Sequence, residues 1–214
     1  DRERSLARVL LGEKGLAECI VASATPGLDL VPASVDLAAC ETALEDLSAR
    51  ETLLRSALEK AEGEGLAHEI LLFDCPPSLG ILTLNALAAA RGVLVPRQAE
   101  FFSLQGLSRL LELVRMVQRR LNPVLEVTGV LPCLVDARRS LTAEVLAELD
   151  RHLGGKLLPN RIRISVRLAE APGFGRTIFQ HAPNSSGALD YLELAREVAG
   201  RLGLAAAASG PEGA

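Results

Sequence analysis

The sequence predicts an α/β fold, a doubly wound, mostly parallel sheet with helices on both faces. Three observations carry that reading. Glu69-Ile70-Leu71-Leu72-Phe73-Asp74 is a continuous apolar run closed by Pro76-Pro77, and Gly92-Val93-Leu94-Val95-Pro96 is a second, shorter one. Apolar residues at successive positions suit strands buried on both faces, as parallel sheets require. Segments of helical period separate such runs, and strands of about four to six residues alternating with longer helices build βαβ units.

In chain order, residues 5–11 and 14–22 read as short helices, and Leu28-Asp29-Leu30-Val31, stopped by Pro32, as a strand. Residues 34–64 mix polar and apolar positions and read as two helices or one broken helix. The strand at 69–74 follows, then a helix over 82–90 and the strand at 92–96. Residues 103–121 give the strongest helix, because Leu104, Leu107, Leu111, Val114, Val117 and Leu121 recur at three- and four-residue steps. Ser103 suits its N-cap and Asn122-Pro123 its stop. Residues 124–135 read as a strand, 141–153 as a helix ended by Gly154-Gly155, Leu157-Leu158 as a strand start and 186–202 as the last helix. We expect residues 1–202 to form one domain and the Ala/Gly-rich residues 203–214 a frayed tail.

Composition narrows the function. Of 214 residues, 49% are hydrophobic and 23% charged, which describes a folded chain with a sizeable core. Aromatics make up only 3%, so an aromatic stacking platform for single strands is not expected. No apolar run approaches the roughly 18 residues that span a bilayer. Cys19, Cys40, Cys75 and Cys133 form no C-x-x-C pair and only three His are present, so reduced thiols in a cytoplasm are expected rather than a zinc site or disulfides. The net charge of −4 is unevenly spread: residues 41–69 hold eight acids against three Lys/Arg, and residues 138–176 eight Lys/Arg against four acids. Two solvated faces of opposite sign, or a basic surface for a phosphate backbone, both fit that pattern.

Chemistry is best placed at Asp74. In open α/β sheets ligands bind beyond the carboxyl ends of the strands. An acid set there by a strand either caps the next element or holds a hydrated magnesium ion against nucleotide phosphates. Ser78, Cys75 and the histidines make no hydrolase set, since G-x-S-x-G is absent from the sequence.

The wider context of Asp74 separates the two readings. Phe73-Asp74-Cys75-Pro76-Pro77-Ser78-Leu79-Gly80-Ile81-Leu82-Thr83-Leu84-Asn85-Ala86-Leu87 resembles the Walker B region of ParA/Soj chromosome-partitioning ATPases. The likeness continues through Val95-Pro96-Arg97-Gln98-Ala99-Glu100-Phe101-Phe102-Ser103-Leu104-Gln105-Gly106-Leu107, Leu121-Asn122-Pro123, Gly129-Val130-Leu131 and Asp136-Ala137-Arg138. It ends with Val166-Arg167-Leu168-Ala169-Glu170-Ala171-Pro172-Gly173-Phe174-Gly175 and the helix that follows.

That resemblance implies a P-loop NTPase-like fold and, for the full-length protein, binding of ATP and Mg2+, an ATP-bound homodimer on nonspecific double-stranded DNA, and hydrolysis stimulated by a ParB-type centromere-binding protein. It implies a cytoplasmic, nucleoid-associated location without membrane attachment. Asp74 is the implied magnesium-associated carboxylate and, with Pro76, part of the nucleotide site. Arg138 and Arg167 match positions implied to contact DNA, and Arg163 is a basic neighbour expected to add to the patch, as are Arg161 and Arg176. No residue here is assigned as catalytic. Glu170 is implied to structure the loop near the nucleotide, and Arg109, Arg115, Arg119 and Arg120 read as plain surface.

Two departures qualify the likeness. No G-x-x-x-x-G-K-[ST] pattern occurs in the 214 residues, so we expect a chain that starts after the phosphate-binding loop and is inactive as an ATPase alone. The family's Ile-Pro-Arg-Asn run is Ile162-Arg163-Ile164-Ser165 here, which changes the loop expected near the nucleotide base. The rival functions are a MinD-like membrane-cycling ATPase, against which the Leu204-Ala205-Ala206-Ala207-Ala208 tail lacks an amphipathic pattern, and a non-enzymatic module binding a partner or DNA.

Overall fold

The computed structural model of the chain describes residues 3–34, 36–98, 103–136, 150–151 and 153–204. These fall into two compact units, Asp1–Arg91 with Leu110–Leu125, and Gly92–Arg109 with Glu126–Ala214.

The first unit is mainly helical. Its elements are α1 (Leu6–Leu10), α2 (Leu16–Cys19), β1 (Val21–Ala22), β2 (Asp29–Leu30), α3 (Asp36–Glu45), α4 (Leu53–Gly63), α5 (Ile81–Ala89) and the second half of α6 (Ser103–Arg120). Leu10, Cys19, Leu44, Leu54 and Ala61 are buried together, with Phe73, Ile81 and Leu82 packed against them. Two asparagines fasten this unit. Asn85, 1% exposed, accepts from the Leu54 amide at 3.1 Å and donates to the carbonyls of Arg50 at 2.7 Å and Ile81 at 3.0 Å. Asn122 donates to the carbonyls of Leu87 at 2.9 Å and Ala90 at 2.6 Å. Both lie in stretches that carry the family resemblance, and both use their amides to satisfy backbone groups at helix ends.

Three elements of this unit differ from the sequence expectation. The two helices expected over 34–64 are present, but the helix expected over 14–22 stops at Cys19, and Val21 pairs antiparallel with Leu30. The Thr25-Pro26-Gly27 turn, with Gly27 at φ 77°, brings the chain back to make that hairpin. The strand expected over 69–74 is irregular backbone. Ile70 is 54% and Leu72 86% exposed, and no ladder among the described residues includes this run. An apolar run becomes a strand only where a neighbour takes its backbone N–H and C=O groups.

The second unit holds a parallel sheet of β3 (Gly92–Gln98), β4 (Glu126–Val135) and β5 (Ile162–Arg163) in that order. Gly92 faces Glu126 and Gln98 faces Cys133; Cys133 faces Ile162 and Val135 faces Arg163. Parallel order with helical segments between strands is the α/β arrangement the sequence predicts. Helix α7 (Val166–Glu170), a 3-10 turn (Ala171–Phe174), α8 (Ile178–His181) and α9 (Ser186–Arg201) follow β5. Leu131, Leu158, Ile162 and Leu194 are buried together, with Leu94, Leu168 and Val198 against them. The expected strand at Leu157 is a single parallel bridge to Val130. Between Cys133 and Val135 the register slips, and Leu134 takes the left-handed region at φ 53°. Residues 141–149 of the expected helix and 205–214 of the tail lie outside the described residues.

Candidate functional site

In the first unit the site is the turn after residues 69–73. Asp74, Cys75, Pro76 and Pro77 are exposed there. The two prolines fix their φ and cannot continue a ladder. The Thr83 hydroxyl donates to the Ser78 carbonyl at 2.7 Å and ties the turn to the first helical turn of α5. Gly80 caps α5, and a Cβ there would lie 3.0 Å from the Glu41 carboxylate. That carboxylate's Oε1 is buried and makes no hydrogen bond among the described residues. The Cys75 thiol is pushed up by desolvation first and by the Asp74 charge second, so it stays protonated and is no nucleophile.

Among the described residues no group of three or more His, Cys, Asp or Glu forms a metal cage. A single exposed carboxylate nevertheless fits magnesium, which keeps most of its waters and is commonly held by one or two protein carboxylates plus substrate phosphates. Asp74 offers such a ligand. The phosphate cradle is a separate requirement, and the 214 residues contain no Walker-type loop to supply it.

In the second unit α9 holds Arg163. Asp190, 5% exposed, accepts from the Arg163 amide at 2.9 Å, from Arg163 Nε at 3.0 and 3.1 Å and from Nη2 at 2.6 Å. Burial alone would raise the Asp190 pKa. The hydrogen bonds and charge of Arg163 outweigh it and hold the carboxyl below its ordinary value. A proline at 163, as in the family pattern, has no N–H to give. Arg167 is exposed and donates to Glu170 at 2.9 Å. Glu170 also meets His181 at 3.4 Å, and the His181 ring stacks on Phe174 with centroids 5.0 Å apart. Arg167 first and His181 second hold the Glu170 carboxyl below its ordinary range. A cleft of about 400 Å³ opens beside Val135, Pro159 and the Arg163–Asp190 pair.

Thus Asp74 and Pro76 share one exposed turn, and Arg163 and Arg167 share the β5–α7 segment. Arg161 and Arg176 are exposed in the same unit, and Arg138 lies outside the described residues. Sequence reasoning missed Asp190 and Glu41. Asp190 had a readable signal: an acid three residues after Gly187 and four before Leu194, on the stripe of α9 that is buried.

A sequence profile described as an AAA domain matches residues 1–127. The chromosome partitioning protein ParA of Caulobacter vibrioides is 40% identical over 200 residues, which cover 94% of this chain and 74% of that protein. The chain belongs to the ParA/Soj family of chromosome-partitioning ATPases. The chromosome-partitioning ATPase Soj of Thermus thermophilus is 44% identical over 202 residues, covering 94% of the chain and 76% of its own length. Among solved structures, cobyrinic acid a,c-diamide synthase of Mycobacterium smegmatis is 34% identical with a TM-score of 0.75, over 89% of this chain and 69% of that one. That enzyme has also been solved with ADP and magnesium. The cell division ATPase MinD of Pyrococcus furiosus, at 18% identity and a TM-score of 0.71 over 92% of this chain and 76% of that one, shares the fold. ParA/Soj membership places the chain among P-loop NTPases, as its α/β sheet leads one to expect. No helix among the described residues is long and apolar enough to cross a membrane.

Proposed function

We propose that the protein partitions chromosomes or plasmids as a ParA/Soj-type ATPase, with Asp74 as the magnesium-associated carboxylate, Pro76 beside it at the nucleotide, and Arg138, Arg167 and Arg163 facing DNA. The carrying observation is 40% identity to a chromosome partitioning ParA across 94% of the chain. Magnesium-bound ATP, in a chain that also carries a phosphate loop, brings two copies together on nonspecific double-stranded DNA at the nucleoid. A ParB-type centromere-binding partner then stimulates hydrolysis and release. Residues 1–202 act as one ATPase-type domain.

The arginines divide by geometry. Arg167 is exposed and its ion pair with Glu170 lies at the surface, so a phosphate can replace that partner at small cost. Three of the five N–H groups of Arg163 do not bond Asp190 and remain for a phosphate.

Random-sequence double-stranded DNA titrated in the presence of Mg-ATP with a chain that carries a phosphate loop ahead of these 214 residues, at several salt concentrations, tests this reading. Arg138→Glu and Arg167→Glu should each weaken binding on all sequences alike and flatten the salt slope by about 0.9 per lost phosphate contact. Binding that is unchanged in both variants at every salt concentration returns the arginines to plain surface and removes DNA from the proposal.

A further inference from the structure

We propose that Asp190 is a positioning residue for Arg167: one face of α9 clamps the β5–α7 segment on both sides of that arginine and so sets where its guanidinium points. This rests on the reading of Arg167 as a DNA contact.

The clamp has two jaws on one helix face. Asp190 takes four hydrogen bonds from Arg163, one of them from the backbone amide, so it fixes the main chain as well as the side chain. Three residues earlier on α9, Gly187 leaves room for Leu168, whose Cγ would lie 2.6 Å from a Cβ at that position. Residues three apart lie on the same side of a helix. Arg163 and Leu168 therefore bracket Arg167 from before and after, and both are held by the Gly187–Asp190 face.

The two ends of the segment have other anchors, Ile162 in the ladder with β4 and the buried Ala171 after α7, but the stretch between them has few. Ile164 is 60% and Val166 70% exposed, so neither anchors it by burial. The Ile164 amide donates to the Val135 carbonyl at a long 3.3 Å. Arg167 itself bonds Glu170, one turn on in α7, so its direction follows the orientation of α7. Asp190 is almost fully buried, and without Arg163 it would be an uncompensated charge. The folded protein therefore favours the pair wherever the carboxylate is ionised, and the pair ties the start of the segment to α9.

A double-mutant cycle in a chain that carries a phosphate loop ahead of these 214 residues tests the clamp, with Mg-ATP present and random-sequence double-stranded DNA as the probe. Asp190→Asn keeps the shape of the side chain and removes its charge. It should weaken DNA binding about as much as Arg167→Ala and flatten the salt slope by about 0.9, the loss of one phosphate contact. In an Arg167→Ala background its further effect should be clearly smaller, because the contact it positions is already gone and only that of Arg163 remains to be disturbed. Hydrogen exchange of the Arg163 amide should quicken at least tenfold in Asp190→Asn whether or not DNA is present. Arg163→Lys, which keeps the charge and loses the planar fork, should repeat both effects in milder form and serves if Asp190→Asn does not fold. An equal loss of DNA binding from Asp190→Asn in both backgrounds marks a general structural role and overturns the proposal. So does unchanged Arg163 amide exchange while Arg167→Ala still weakens binding. DNA binding unaltered by Arg167→Ala overturns the DNA reading instead, and then faster amide exchange in Asp190→Asn still upholds the clamp while removing its link to DNA.

Discussion

Residues 69–73 and strand β4 are both rich in apolar residues and have opposite fates. Both begin with a glutamate and run toward an aspartate, Asp74 or Asp136. In β4, Val130 and Leu131 are 0% and 3% exposed, with β3 on one side and β5 on the other. In the first run Leu72 is 86% exposed and the backbone is irregular. Hydrophobicity is thus not what makes the strand. A strand interior lies in a ladder that occupies both its edges, and apolar side chains are buried as a consequence of that ladder.

Amide hydrogen exchange should show the contrast at its largest. Amides of Ile70 to Phe73 should exchange within a few tens of times their unprotected rates. Those of Val130 and Leu131 should open only with the unit as a whole, at thousands of times slower rates. Comparable protection in the two segments would mean that residues 69–73 sit in a ladder after all.

Side-chain truncation should follow the same division at a smaller scale. Leu158 is 1% exposed and packs in the second unit's core, so Leu158→Ala should cost about 2–5 kcal/mol. Leu72→Ala, at a side chain already in water, should stay within about 0.5 kcal/mol of the parent. Chemical denaturation of both variants measures the difference. A cost above about 2 kcal/mol at Leu72 would show that its side chain is buried.

Much of this molecule was readable before any fold was seen, and the failures have a common cause. The period of residues 103–121 marked α6, and the apolar run at 92–96 marked β3, because each element's signal is local. The ordered motifs around Asp74, Asn122 and Arg167 marked the family. They did not separate residues that touch ligand from residues that hold backbone, and Asn85 and Asn122 belong to the second kind. Residues 69–74 were misread because a ladder is a property of two segments, and one segment's composition carries no record of its neighbour. The place of Asp190 on the buried stripe of α9 was legible, but its partner was not: Arg163 lies 27 residues earlier, and only the fold brings the two together. The strand at 28–31 was read and is present at Asp29–Leu30, but its hairpin partner Val21–Ala22, two residues long, is shorter than any period can show.

The smallest effect concerns charge, and it separates a clamped segment from an unclamped one by pH alone. Asp190 is held below its ordinary pKa by Arg163 against the opposing effect of burial. A carboxyl of depressed folded-state pKa favours the folded state wherever it is ionised in the unfolded chain too, that is above about pH 4. That contribution is lost as pH falls from there through the folded-state value, when the carboxylate takes up a proton and the pair with Arg163 breaks. Asp190→Asn never has this contribution. The melting temperature of the parent should therefore exceed that of Asp190→Asn by a constant amount between about pH 5 and 7, and the gap should close progressively below about pH 4. Glu170 is depressed as well, but it is present in both proteins and cancels from the difference. A gap for Asp190→Asn that persists unchanged to pH 3 would mean that the difference between the two proteins does not come from the carboxylate's charge.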